Sequence, residues 1–351
     1  MALVYNVNDT ATQVLIARKI KENYYAPLLH RDGKGVEEHY ETNVSTIRIL
    51  KRTPLTTSAR ELGKPANGGF FNSNAANIAS ISEYDLPLLF VYDTNYDIPE
   101  VQQDMCSANI FDGAMTDIGG RIATEINAST LAVQLKAVYD AVGALDEPAW
   151  TDNAIVLAAD PDYYSALLDA SAKLDDGNDA AGVQVFPFDQ REILLTSDYR
   201  KNLMSTKGVL LGGSNYAQSM LAKGGVSPDE KKDYGTMYIG EIDGIPCYLL
   251  PKTIMNRVDT WVATADAAKR AAYVDKVGAI VCAASATDRG ISDPDYVKVV
   301  DSQAGAGKRL QPKTRWGINV CYPSGIIPIL ANGTAVPAKS GTLSVAAPGN
   351  A

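Results

Sequence analysis

The chain has 351 residues, 46% of them hydrophobic, enough apolar material for two domains or one large elaborated one. Its 32 basic and 41 acidic residues leave a formal charge of -9, so it has no overall attraction for nucleic-acid phosphates. Four cysteines (Cys106, Cys247, Cys282, Cys321) stand far apart with no Cys-x-x-Cys pair, which argues against a zinc module and fits free thiols in a reducing cytoplasm.

The first residues carry no charged leader followed by an apolar run, so no signal peptide is expected. The longest apolar stretch, around Val277 to Ala286, is too short to cross a bilayer. Asn8 or Asp9 can cap a helix from about Thr10 to Tyr25, which Pro27, Gly33 and Gly35 then break. Its apolar face (Val14, Ile16, Ile20) is modest, so this helix needs a surface to lie on.

Residues 43 to 52 are rich in β-branched residues and alternate as a strand. The stretch 53 to 77 holds Pro54, Gly63, Pro65, Gly68 and Gly69 and few core anchors, and a second extended run spans Glu83 to Asp93, where Pro87 argues for a sheet edge. Together they read as a long hairpin projecting from a body and ordered on a neighbouring subunit.

Asp97 and Glu100 have the spacing of a capping pair, with Pro99 in the first turn of a helix. Ile98, Val101, Met105, Ala108, Phe111, Met115, Ile118, Ile122 and Ile126 then recur in steps of three and four, a single stripe on a helix of roughly 40 Å. Gly113, Gly119 and Gly120 predict a bend or a close packing contact. A further helical run, Leu131, Leu135, Val138 and Val142, ends at Gly143.

From Asp152 the pattern becomes α/β. Ala154 to Ala159 reads as a buried strand, and Asp160-Pro161-Asp162 opens a helix carrying Tyr164, Leu167 and Leu168. Ten acids between Asp140 and Asp179 face a single lysine, Lys173, and read as a solvated acidic face. Further strands are expected at Val209 to Leu211, on both sides of the hairpin turn Asp243-Gly244, at Lys276 to Ala283 and at Trp316 to Tyr322. The tail from Asn332 has no core pattern and reads as mobile or draped on the surface.

Motifs for chemistry are sparse. Ser302 to Arg309 ends like a phosphate-binding loop, but Ser302 replaces its first glycine and Arg309 the magnesium-holding hydroxyl. His30 and His39 are the two histidines, both in loop-rich sequence and read as solvated, so no catalytic triad or metal site is expected. No catalytic, cofactor or metal residue is assigned, and a non-enzymatic role is expected.

The order of these pieces resembles the major capsid proteins of tailed bacteriophages with the Hong Kong 97 fold. The pieces are the N-terminal helical arm, the hairpin flap, the helix opened by Asp97-Ile-Pro-Glu100, the strand followed by Asp160-Pro-Asp-Tyr-Tyr164, the hairpin from Gly240 to Tyr248 and the closing strand from Trp316 to Tyr322. The resemblance covers roughly residues 8 to 330. It implies an α+β chain with an arm (1–40), an extended β-hairpin flap (41–96), a spine helix and peripheral domain (97–150), an axial domain (151–285), a return to the peripheral domain (286–330) and a tail (331–351). It also implies self-assembly as pentamers and hexamers into an icosahedral shell in the host cytoplasm, around double-stranded DNA held without sequence-specific contact. Scaffolding, portal and decoration proteins are the further partners implied, with no cofactor and no membrane.

The arm and flap carry too little apolar surface to fold on their own body, so they are expected to bury it on neighbouring copies. Arg48, Lys51, Arg52, Arg60 and Lys64 outnumber Glu61 in the flap and are the expected subunit-interface residues, suited to an acidic neighbour. A Lys64-to-asparagine crosslink, known in some members, is not specified by this sequence. The alternatives are an encapsulin-like nanocompartment shell and a cytosolic α/β enzyme.

Overall fold

The computed structural model describes residues 10–30, 33–52, 81–93, 95–99, 109–141, 154–176, 186–205, 237–293, 297–301, 307–331 and 342–348. The flap tip, the strand expected at Val209 to Leu211, Cys106 and the loop 302–306 lie outside them.

Helix α1 (Thr10–Tyr25) forms where the sequence places it and buries Thr12, Ile16, Ile20 and Tyr24, a strict four-residue spacing. The surface it lies on belongs to its own chain: helix α2 (Asn109–Asp140). Gly119 lets the two backbones approach, because a Cβ there would stand 2.6 Å from the Asn23 Cβ and 2.9 Å from its carbonyl carbon. Lys19 reaches Asp112 at 2.5 Å across the same contact. The expectation that the arm cannot satisfy its apolar side chains at home is therefore corrected: Ile16, Ile20, Tyr24, Leu28 and Leu29 are all within the main core. Three apolar residues one turn apart suffice when a glycine on the facing helix lets the two backbones approach.

Two features of α2 also differ from expectation. Tyr96–Pro99 is a strand, β5, so Asp97 caps no helix; Ile98 precedes a proline, which disfavours helical backbone and favours extension. The helix also runs without a break to Asp140, joining the two separate runs of the sequence pattern into 32 residues, roughly 48 Å. The Asn127-Ala-Ser-Thr130 interruption does not stop it, because Ser129 and Thr130 donate to the Ile126 carbonyl at 3.0 and 2.7 Å and lie within the helix's own ladder. Met115, Ile118, Ile122 and Ile126 are buried as the stripe requires.

Strands β2 (Thr46–Arg52) and β3 (Ile81–Pro87) form the antiparallel hairpin of the flap root, Thr46 opposite Pro87 and Arg52 opposite Ile81. It sits on a four-stranded sheet ordered β1 (Glu37–Thr42), β11 (Thr287–Asp293), β14 (Thr314–Val320) and β4 (Phe90–Tyr92). Gly290 of β11 and Gly317 of β14 make the seat: a Cβ on Gly290 would press on Ile47, Leu86 and Leu88, and one on Gly317 would meet the Pro87 carbonyl oxygen at 2.3 Å. Strand β5 pairs with β13 (Gly307–Gln311), which pairs with β12 (Lys298–Asp301). Thus the end of the would-be phosphate loop is a strand, and Arg309 donates to Asp97 from Nε and Nη2 at 2.7 and 2.9 Å.

The α/β part is a six-stranded sheet ordered β6 (Ile155–Val156), β15 (Ile326–Leu330), β10 (Val277–Ala283), β7 (Arg191–Thr196), β9 (Ile245–Leu250) and β8 (Tyr238–Ile242). The strand expected over 154–159 shrinks to two residues at its edge. Helix α3 (Tyr163–Asp175) begins as read, with Asp162 accepting from the Tyr164 and Ser165 amides at 3.0 and 3.1 Å. These donors hold the Asp162 carboxyl below the usual carboxylate range. The β8–β9 turn is Asp243-Gly244, both at positive φ (53° and 76°), the geometry that two-residue hairpins favour. Helices α4 (Ser197–Ser205), α5 (Lys252–Trp261) and α6 (Ala267–Ala272) complete the described elements.

Part of the acidic run also has internal work: Asp162 caps α3, Asp175 pairs with buried Arg191 at 2.7 Å, and Asp140 accepts from the Leu343 amide at 2.8 Å. The tail segment 342–348 is anchored, with Leu343 fully buried and the Ser344 amide bonded to Asp266 at 2.8 Å.

The three helix glycines separate helix propensity from packing. Gly113→Ala and Gly120→Ala, whose new methyl groups meet nothing within 4 Å, are expected to stabilise the chain by up to about 1 kcal/mol each. Gly119→Ala is expected to destabilise it by about 1–3 kcal/mol in spite of better propensity. Urea denaturation of the three variants measures both signs.

Candidate functional site

The flap root has two faces. Ile47, Ile49, Leu86 and Leu88 form a small apolar cluster of their own beneath the hairpin, separate from the main core. On the outer face Leu50 is 60% exposed, and beside the root Leu89 and Val91 are 75% and 47% exposed. Three uncovered aliphatics around one hairpin are more than the isolated surface leucines a monomer carries.

The positive-charge rationale for the flap needs correction at Arg48. Its guanidinium lies across the hairpin from Asp85 (3.3 Å) and Glu83 (3.8 Å), acids supplied by the second strand, which an inventory opposing only Glu61 leaves out. All three side chains are well exposed, so these pairs contribute little stability. Arg60 and Lys64 lie outside the described residues, as do the side chains of Lys51 and Arg52.

Beneath the root, buried Asp288 of β11 collects polar groups from three other segments. The Tyr84 hydroxyl donates to it from β3, Cys321 Sγ stands 3.1 Å away after β14, and His39 Nε2 approaches to 3.4 Å from β1. Burial, then the hydrogen bond to Asp288, push the Tyr84 phenol well above its usual range, so it remains a donor. This cluster ties the flap to the sheet beneath it, and nothing in the spacing of the sequence indicated it.

His30 corrects the reading of both histidines as solvated. It is fully buried, with Nδ1 paired to the carboxylate of buried Glu192 on β7 and lying 3.8 Å from the sulfur of buried Cys282 on β10. Cysteine, histidine and glutamate are the parts of a nucleophilic centre, but burial raises the Cys282 thiol well above its normal range and no described pocket opens onto it. Nucleophilic chemistry does not follow from this arrangement.

A hollow of about 510 Å³ lies in the α/β part between α4, α5 and the turn before β10. Its wall includes Lys252, Asn256, Asp259, Asp275 and Lys276. Asp259 and Asp275 share a hydrogen bond, and partial burial together with the neighbouring carboxyl raises Asp259 to about 6. Two like charges here would repel, so the pair is a polar strut between α5 and that turn, with Arg270 3.9 Å from Asp275.

No protein-family model matches the sequence, and no curated protein matches it either. Solved structures do match in fold. The capsid of Ralstonia phage GP4 is 9% identical, with 87% of this chain and 89% of that one covered at a TM-score of 0.54. The acid-stable capsid of Helicobacter pylori bacteriophage KHP30 is 11% identical, with 88% and 90% covered at 0.51. The chain therefore has the Hong Kong 97-like fold of phage capsid structures, as the order of its sequence elements implied. No helix among the described residues is long and apolar enough to cross a membrane.

The Asp259–Asp275 pair sets a pH dependence with a defined sign. A carboxyl raised above its unfolded value stabilises the fold when protonated, and that contribution is lost as pH climbs from about 4 through about 6. Asp259→Asn is expected to stabilise the fold above pH 7, by on the order of 1 kcal/mol after discounting for exposure, and to change its stability little near pH 4. Thermal melts of both proteins at the two pH values measure it.

Proposed function

We propose that the chain is the major capsid protein of a tailed bacteriophage, assembling as pentamers and hexamers into the icosahedral shell around packaged double-stranded DNA. The observation that carries this is the fold, shared with two phage capsid structures over nearly nine-tenths of the chain. The uncovered Leu50, Leu89 and Val91 at the flap root support it, since a flap laid on a neighbouring copy would bury them. The net charge of -9 suits a wall that holds DNA without adhering to it.

In this reading the chain is structural and not catalytic. The flap, with Arg48, Lys51, Arg52, Arg60 and Lys64 along it, contacts the next subunit, Arg48 also facing Asp85 and Glu83 across the hairpin. Assembly takes place in the host cytoplasm, with scaffolding, portal and decoration proteins as the further partners. A nanocompartment shell of the same fold differs in contents, protein cargo in place of a genome behind a portal vertex.

Purified chain is expected to elute as megadalton particles and to show closed shells in negative stain; a small oligomer with no shells under any assembly condition contradicts the proposal. The variant Leu50→Asp/Leu89→Asp changes only exposed positions, so its subunit stability is expected to stay within about 1 kcal/mol of the parent. Its particle yield is expected to fall at least about tenfold, each burial being worth roughly 1.5–3 kcal/mol per contact. Analytical ultracentrifugation beside a urea melt reads both quantities.

A further inference from the structure

The cluster His30–Glu192–Cys282 is unused by a shell's assembly surface, and its chemistry is unusual for a protein core. All three side chains are fully buried, and their donor atoms lie within 4.8 Å of one another. Strand pairing places Cys282 directly opposite Glu192, and the chain following α1 lays His30 over both. Gly35 completes the enclosure: a Cβ there would fall 2.3 Å from the Glu192 carboxyl carbon, so only glycine lets that segment close over it. His30 itself holds a positive φ of 61°, a conformation that costs energy for a residue with a side chain.

A simple ion pair leaves this group incomplete. Glu192 Oε2 is buried with no hydrogen-bond partner. Such an orphan costs about 1–3 kcal/mol. We propose that the cluster is a structural zinc site, with His30 Nδ1, Cys282 Sγ and the Glu192 carboxylate as ligands.

The spacing fits. Sulfur lies 3.8 Å from His30 Nδ1 and 3.6 Å from Glu192 Oε1. Ligand edges of roughly 3.3–3.6 Å follow from tetrahedral zinc with bonds near 2.3 Å to sulfur and near 2.0–2.1 Å to nitrogen or oxygen. The imidazole and carboxylate, now in direct contact, need only open to admit the ion between them. Glu192 Oε2, otherwise unpartnered, supplies a fourth donor if the carboxylate binds through both oxygens.

Charge favours the same occupant. One zinc dication, a thiolate, a carboxylate and a neutral imidazole sum to zero, which is the arrangement a dry interior tolerates. On binding, the Cys282 thiol gives its proton to solvent and the sulfur–zinc bond forms, with no change of oxidation state. A sulfur and an imidazole ligand select zinc over magnesium or calcium, which prefer oxygen. The ion would staple the segment after α1 to the two central strands β7 and β10.

This site does not depend on the shell reading, so metal content can be measured on subunits or particles alike. Full-length chain produced with added zinc chloride and purified without chelator is expected to contain about one zinc per chain by elemental analysis. Cys282→Ser and Glu192→Gln are expected to lower that content at least about tenfold, whereas Cys247→Ser and Cys321→Ser retain it. Should the ligand variants fold poorly, cobalt chloride added to the metal-free parent gives an independent reading, a thiolate-to-cobalt charge-transfer band in the near ultraviolet. Folded parent chain that takes up neither metal overturns the site, as does zinc retained undiminished in folded Cys282→Ser.

Discussion

Polar side chains buried along α2 are the constraint on which the rest of the structure depends. A helix lined only with leucine and isoleucine could slide or rotate under its partners, because apolar contact has little direction. Here Asn127 accepts from the Leu29 amide at 2.9 Å and donates to the Pro27 carbonyl at 3.0 Å, fixing the end of the arm. Ser129 accepts from the Trp316 indole at 2.8 Å, fixing the sheet that carries the flap. Glu125 takes Arg257 at 2.6 Å and the Trp261 indole at 3.1 Å, fixing α5 of the α/β part. Gln134 reaches Thr287 of β11 at 3.3 Å. Four residues within three turns thus set the register of three separate regions against one rod, and the aromatic group Phe90, Trp261 and Trp316 packs over the same place.

That arrangement changes the physical picture of the arm. An N-terminal helix that waits for a neighbour would leave Ile16 and Ile20 in water; instead both are buried against α2. Uncovered apolar side chains remain at the flap root and on the outer side of α1, where Val14 and Leu15 are 43% and 52% exposed. The body is finished within one chain, with no need for the leading helix to fold in trans. A chain built this way can be stable as a single copy.

Legibility in the sequence followed the range of the interaction. Local rules worked where a single turn or strand decides: Asp162 as a cap, Asp243-Gly244 as a turn, the extent of α1 and the β-branched run of β2 all fold as their neighbours dictate, although Val14, read as part of the α1 apolar face, is 43% exposed. They failed where a distant partner decides. Asp97 has every local mark of a cap, but its partner is Arg309, 212 positions away. His30 sits among loop-forming residues, and its burial comes from Glu192 and Cys282 on strands far along the chain. Gly119 could be read as a bend or a close approach, and only the facing backbone at Asn23 decides for the second. Arg48 meets Asp85 and Glu83, which enter from the returning strand.

Native-state hydrogen exchange tests most directly whether α2 binds the arm into one body with the rest. If it does, amides of Ile16 to Tyr24 open with free energies close to those of Ile118 to Val138, because neither helix can lose the other without exposing the shared core. Exchange of the α1 amides at nearly unprotected rates, while α2 stays protected, contradicts it and returns the arm to its neighbours.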